Sequence, residues 1–172
     1  MDNPNIENVI LAAADACKSL SQCTNFFNFD KTDSWLGWEN WLTVDIVRRL
    51  DSASVVRFGS YPSSSEKTDI FISGQNKMAV EIKANYVDTS EVASWNENAR
   101  YKLPVRATKD LWKLNRLGKG MTRVFLFAIA FENPKDQTKY KELLDQYLTA
   151  SWGSWTSQWH KCRTFMLLAL SS

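Results

Sequence analysis

The chain has 172 residues, 44% of them hydrophobic and 23% charged, with a formal net charge of +2. This is the length of one domain with the balance of an ordinary globular protein, which excludes a disordered tail, a collagen-like chain and a coiled coil. Whole-chain charge selects no partner, so a nucleic-acid signal has to come from where the charges sit.

Ile6, Val9, Ile10, Ala13 and Ala14 recur at helical spacing and predict a helix over Ile6–Leu20. Phe26, Phe27 and Phe29 follow in a polar loop and read as core plugs. Asp33 or Ser34 is placed to cap a second helix reaching about Leu50, with Leu36, Leu42, Ile46 and Leu50 on one face. A strand over Ser54–Gly59 leads into the turn-rich stretch Tyr61–Glu66.

Two strands come next, Thr68–Ser73 and Lys77–Ala84, joined through Gly74-Gln75-Asn76. A three-residue loop pairs Ser73 with Lys77, which sets Ile72 against Met78, Ile70 against Val80 and Asp69 against Glu81. In that register Ile70, Ile72, Met78, Val80 and Ile82 share an apolar face, and Asp69, Glu81 and Lys83 share the other. A slip of one residue would destroy the agreement.

Tyr86–Leu103 is undecided between a short helix and a long loop. Residues 108–117 read as a helix stopped by Gly118 and Gly120, and Thr122–Phe131 as a strand. Asn133-Pro134 precedes a helix at about Lys135–Thr149, and Thr164–Ala169 is the last strand. Between them Trp152, Trp155 and Trp159 fall at helical spacing and suit the core or a subunit interface. The order predicts an α/β protein with a mixed sheet and helices on its faces, one domain over residues 1–172.

Three cysteines, Cys17, Cys23 and Cys162, without a Cys-x-x-Cys pair, suit a reducing compartment better than a disulfide scaffold or a zinc site. Met1-Asp2-Asn3-Pro4 lacks the basic and apolar regions of a signal peptide. The longest apolar runs, Val124–Phe131 and Phe165–Leu170, are too short to span a bilayer. A cytoplasmic protein with no membrane partner is expected. His160 is the only histidine, which leaves a His-dependent triad or zinc site little to build on.

The chemistry concentrates on Asp69 with Glu81-Ile82-Lys83. Two carboxylates facing each other across a hairpin supply hard oxygen ligands for Mg²⁺, with Mn²⁺ as an alternative. Alternation puts Lys83 on the face of Glu81, about 7 Å along the strand, where it can orient a water and offset charge on phosphorus. The Ile82 side chain turns to the core, leaving its backbone carbonyl as a further metal ligand. The rival reading is a solvated sheet face with a salt bridge.

Asp69, eleven residues, then Glu81-x-Lys83 on a hairpin resembles the PD-(D/E)XK phosphodiesterase superfamily. The resemblance implies a restriction-endonuclease-like three-layer core, αβββαβ over residues 34–131, with an extra N-terminal helix and a C-terminal helix–strand. It implies a Mg²⁺-dependent nuclease in which Asp69, Glu81 and Lys83 are catalytic. Glu39, on the helix before the strands, matches a further metal-approaching glutamate, acting through a water or a second ion. Thr68 stands where the family has the proline of its "PD" pair.

Arg106, Lys109, Lys113 and Arg116 recur at steps of three, four and three, with Asp110 the one acid between Lys102 and Arg123. The four form a basic helical stripe suited to a phosphate backbone. The expected partner is nucleic acid, DNA first, with a homodimer expected by analogy with duplex-cleaving relatives. The alternative is a non-catalytic module on the same fold, an immunity or nucleic-acid-binding protein. A weaker third reading is a toxin-like effector nuclease.

Overall fold

The computed structural model describes residues 4–22, 35–51, 54–57, 59, 67–74, 77–87, 102–117, 120–151 and 155–172. The loop phenylalanines, Cys23, Trp152 and the stretch 88–101 lie outside them. Among the described residues, no helix is long and apolar enough to cross a membrane.

Helix α1 spans Ile6–Ser21 and opens on a capping box, the Asn5 side chain accepting from Asn8 N–H and the Asn8 side chain from Asn5 N–H. Helix α2 spans Trp35–Leu50. Its buried Asp45 is held by Arg48 and Arg49, both at 2.8 Å, and Arg49 also donates to Ser19 Oγ, tying α2 to α1. Strand β1 is Val55–Arg57, β2 Ile70–Ile72 and β3 Met78–Val87. Helix α3 covers Lys102–Asn115, β4 Thr122–Phe131. A 3-10 turn at Pro134–Asp136 leads into α4, Gln137–Ser151, and the chain closes with β5, Thr156–Cys162, and β6, Phe165–Ser171.

The strands form one mixed sheet in the order β1-β2-β3-β4-β6-β5. β1, β2 and β3 are successive antiparallel neighbours, β4 lies parallel to β3, and β6 and β5 return antiparallel. The hairpin register is the expected one, Ile70 opposite Val80 and Ile72 opposite Met78, and Gly74 takes the left-handed conformation (φ 130°) at its turn. Gly59 is fixed differently, since a Cβ there would overlap the Cβ of Phe71.

Each sheet face carries its own core, giving three layers. Ile70, Ile72, Met78, Val80 and Ile82 pack with α1 and α2. On the other side Phe125, Phe127, Ile129 and Phe131 pack with Leu111, Leu114, Tyr140 and Leu144 of α3 and α4. β4 feeds both, its small residues Ala128 and Ala130 facing the alanine-rich α1. A strand buried on both faces reads as a continuous apolar run, which is why its bounds match the sequence reading.

Three expectations need correction. α3 starts at Lys102 rather than 108, because Pro104 in a first turn removes only an N–H that is unpaired there anyway. The strand over Ser54–Gly59 is shorter, with β1 confined to Val55–Arg57. The C-terminal helix–strand is a helix followed by a two-stranded hairpin. Trp155 and Trp159 are spaced for a helix, but Trp159 lies on β5, an edge strand whose polar residues conceal its strand character. Both tryptophans pack on the α3–α4 core, as expected of core residues.

Candidate functional site

The site forms where one side of β3 runs out of partner. β2 pairs with β3 over three residues, whereas β4 accompanies it over all ten. Past Val80, the N–H groups on the β2 side of β3 belong to alternate residues, Ile82 and Ala84. Each donates to a carboxylate: Ile82 N–H to Asp69 Oδ2 at 2.7 Å, and Ala84 N–H to Glu39 Oε2 at 3.1 Å. Asp69 lies at the end of β2 and Glu39 on α2, so two side chains complete a ladder that backbone leaves unfinished.

Thr68 fixes Asp69. It is buried, its N–H donates to Gly59 O at 3.0 Å, and its hydroxyl donates to Val80 O at 2.6 Å. A proline at this position would have neither group.

Glu81 and Lys83 alternate onto the α3 side of the sheet. Glu81 is only 3% exposed and meets Lys113 Nζ at 3.6 Å. Lys83 Nζ lies 3.4 Å from Glu39 Oε2 and 3.5 Å from Asp110 Oδ2, and Lys113 lies 3.3 Å from Asp110 Oδ1. Glu39, Asp69, Glu81 and Lys83 are thus brought together, with α3 adding Asp110 and Lys113. In the sequence, Asp110 reads as the one acid in a basic run and carries no metal or catalytic assignment. The available signal was its helical position, between the basic stripe and the buried Leu111 and Leu114.

Burial dominates the electrostatics. It pushes the Glu39 carboxyl above its ordinary value against the opposing pull of Lys83 and the Ala84 N–H. Burial likewise raises Asp69, with Asp110 adding to it and the Ile82 N–H resisting. For Lys83, burial disfavours the charge, but Glu39 and Asp110 outweigh it and raise the pKa. Lys113 follows the same pattern, with Glu81 and Asp110 outweighing burial.

The expected basic stripe divides. Lys113 turns inward to the carboxylates, while Lys109 and Arg116 are exposed. Arg106 lies on α3, and its side chain is outside the described residues. His160 is on β5, three strands from β3 in the sheet. Cys17 and Cys162 are free thiols.

The donor set is a test of whether a divalent ion fits. Four carboxylates against two ammonium groups leave a formal excess of two negative charges on hard oxygen donors, the charge and chemistry that Mg²⁺ or Mn²⁺ matches. Among the described residues, no three His, Cys, Asp or Glu side chains converge as a ready metal cage. Mg²⁺ binds through one or two carboxylates and keeps several waters, so it does not require one. In comparisons with known proteins, no family model, no curated protein and no solved structure matches the chain.

Proposed function

We propose that the protein is a metal-dependent nuclease of the PD-(D/E)XK kind, hydrolysing phosphodiester bonds, with DNA the first substrate to test. The observation that carries this reading is the gathering of Glu39, Asp69, Glu81 and Lys83 from α2, the end of β2 and β3 at one strand edge. The run α2-β1-β2-β3-α3-β4, with β4 parallel to β3, supports it.

Asp69 and Glu81 would hold the ion, with Glu39 through a water or a second ion. The Ile82 carbonyl, on the same strand edge as its N–H, would be the further ligand. A divalent ion held there would supply Lewis-acid polarisation of a phosphate and a lowered pKa for a water. Lys83 is already placed as a cation between Glu39 and Asp110, where it orients the attacking water and offsets charge developing on the phosphoryl oxygens. Lys109 and Arg116 supply counter-charge for the backbone.

One observation favours the second reading, a non-catalytic module on this fold. Lys113 neutralises Glu81, and Glu39, Glu81 and Asp110 are tied by Lys83 and Lys113 into an ion-paired network. A cleavage assay on plasmid, single-stranded DNA and RNA with Mg²⁺, Mn²⁺ or EDTA separates the two. The nuclease reading expects metal-dependent cleavage that Lys83→Ala and Asp69→Ala abolish, and a Tm raised by Mg²⁺ in wild type but not in Asp69→Ala. Wild type inert with every metal and substrate would leave the binding module.

A further inference from the structure

We propose that Trp112 is a stacking platform for an unpaired base, which makes single-stranded nucleic acid the substrate class of the site. This deepens the nuclease reading and rests on it for the role of the carboxylates, while the binding it predicts is measured without cleavage. Trp112 is 57% exposed, the most exposed of the large hydrophobic side chains described. Isolated exposed apolar residues are common, but this one has a built setting. The Arg116 guanidinium lies over its ring at 4.5 Å, and Lys109, one turn earlier, is exposed beside it.

At about 100° per residue, Lys109, Trp112 and Arg116, which follows the last residue of α3, fall within a ~60° arc, and beyond it on the same side, with Arg106 between them, come Lys113 and Asp110. Those two contact Glu81 and Lys83. One side of the helix therefore runs from an aromatic plane, through exposed cations, to the carboxylate cluster. Basic residues track phosphates, and an aromatic face accepts any base that is not already stacked in a duplex. Arg116 both holds the indole and offers a phosphate contact, so the platform is preorganised. A paired base keeps its faces covered by its neighbours and gains nothing from Trp112.

The test is binding in EDTA, where no metal-dependent cleavage occurs. A labelled 12-nucleotide DNA single strand, the same sequence as RNA, and the blunt DNA duplex are titrated against wild type, Trp112→Ala and Trp112→Phe. Trp112→Ala is expected to weaken single-strand binding by about 5- to 100-fold, Trp112→Phe to retain most of it, and duplex affinity to change less than about twofold. The DNA and RNA arms distinguish the two sources of an unpaired base. Lys109→Ala is expected to lower the salt dependence, whereas Trp112→Ala leaves it unchanged. Equal loss on single strand and duplex, or unchanged single-strand binding, overturns the proposal. So does a change of oligomeric state in Trp112→Ala with unchanged affinity. Cleavage failure with intact Trp112-dependent binding would sink the nuclease reading alone.

Discussion

The two edges of β3 have opposite fates. Toward β4, ten residues pair in register and the neighbouring strand is buried from Val124 to Phe131. Toward β2, three residues pair, and the following N–H groups are taken by Asp69 and Glu39. On the first edge, burial is secured by apolar packing and backbone hydrogen bonds. On the second, the backbone is satisfied only by bringing charge to it, which then requires Lys83 and Lys113 to balance the carboxylates. Charge is concentrated where the ladder stops, and apolar packing where it continues.

The largest expected effects fall on the charged edge. Lys83→Ala and Asp69→Ala are each expected to lower metal-dependent cleavage by about 10²- to 10⁴-fold, the range for losing a positioned acid–base or electrostatic group. Steady-state cleavage at saturating Mg²⁺ measures this, and a loss below tenfold in both would sever the edge from the chemistry. On the apolar edge, the fully buried Leu126 sits opposite Ile82 in the ladder. Leu126→Ala is expected to cost about 2–5 kcal/mol and to lower Tm by about 5–15 °C. Activity per folded molecule should hold. A variant that lost activity without losing stability would contradict the division of labour.

Between these lies Thr68, which joins the two kinds of contact. Thr68→Pro removes the N–H given to Gly59 and the hydroxyl given to Val80. The expected outcome is a destabilisation of about 1–3 kcal/mol, read in urea unfolding. A neutral or stabilising result would mean that the backbone geometry proline imposes outweighs both hydrogen bonds.

Much of the charged edge was legible because two independent constraints agreed. The length of the Gly74–Asn76 loop and the alternation of Ile70, Ile72, Met78, Val80 and Ile82 selected the same register, and that register grouped Glu81 with Lys83. What could not be read were the long-range partners. Glu39 meets Ala84 across 45 positions, a contact fixed by how α2 packs rather than by local pattern. Lys113 looked like its exposed neighbours because helical spacing says which residues share a face but not which face meets the sheet. β5 was missed because an edge strand with one neighbour has little burial to impress alternation on its sequence.

The smallest effect sharpens the comparison by setting a half-buried aspartate beside a buried one. Asp69, like Glu39, has a pKa raised chiefly by burial. Its contribution to stability is therefore present below the ordinary carboxyl range and is lost as pH rises through the raised folded value. Asp45 is buried, but hydrogen bonds and charge from Arg49 and Arg48 outweigh that burial and lower its pKa. Its contribution is present above the ordinary range and is lost as pH falls through the lowered value. Asparagine keeps an oxygen for the Ile82 N–H while removing the charge, so metal-free Asp69→Asn should raise Tm at neutral pH by roughly 1–3 °C. Asp45→Asn should lower it by a similar amount. The Asp69 difference should shrink toward about pH 3, where its raised carboxyl is protonated, whereas the Asp45 difference should persist to lower pH because that carboxyl's value is lowered. Thermal unfolding in EDTA across that range decides it. If the two variants shifted Tm in the same direction at neutral pH, the two carboxylates would be equivalent structural groups, and the charged edge would lose its distinction from an ordinary buried ion pair.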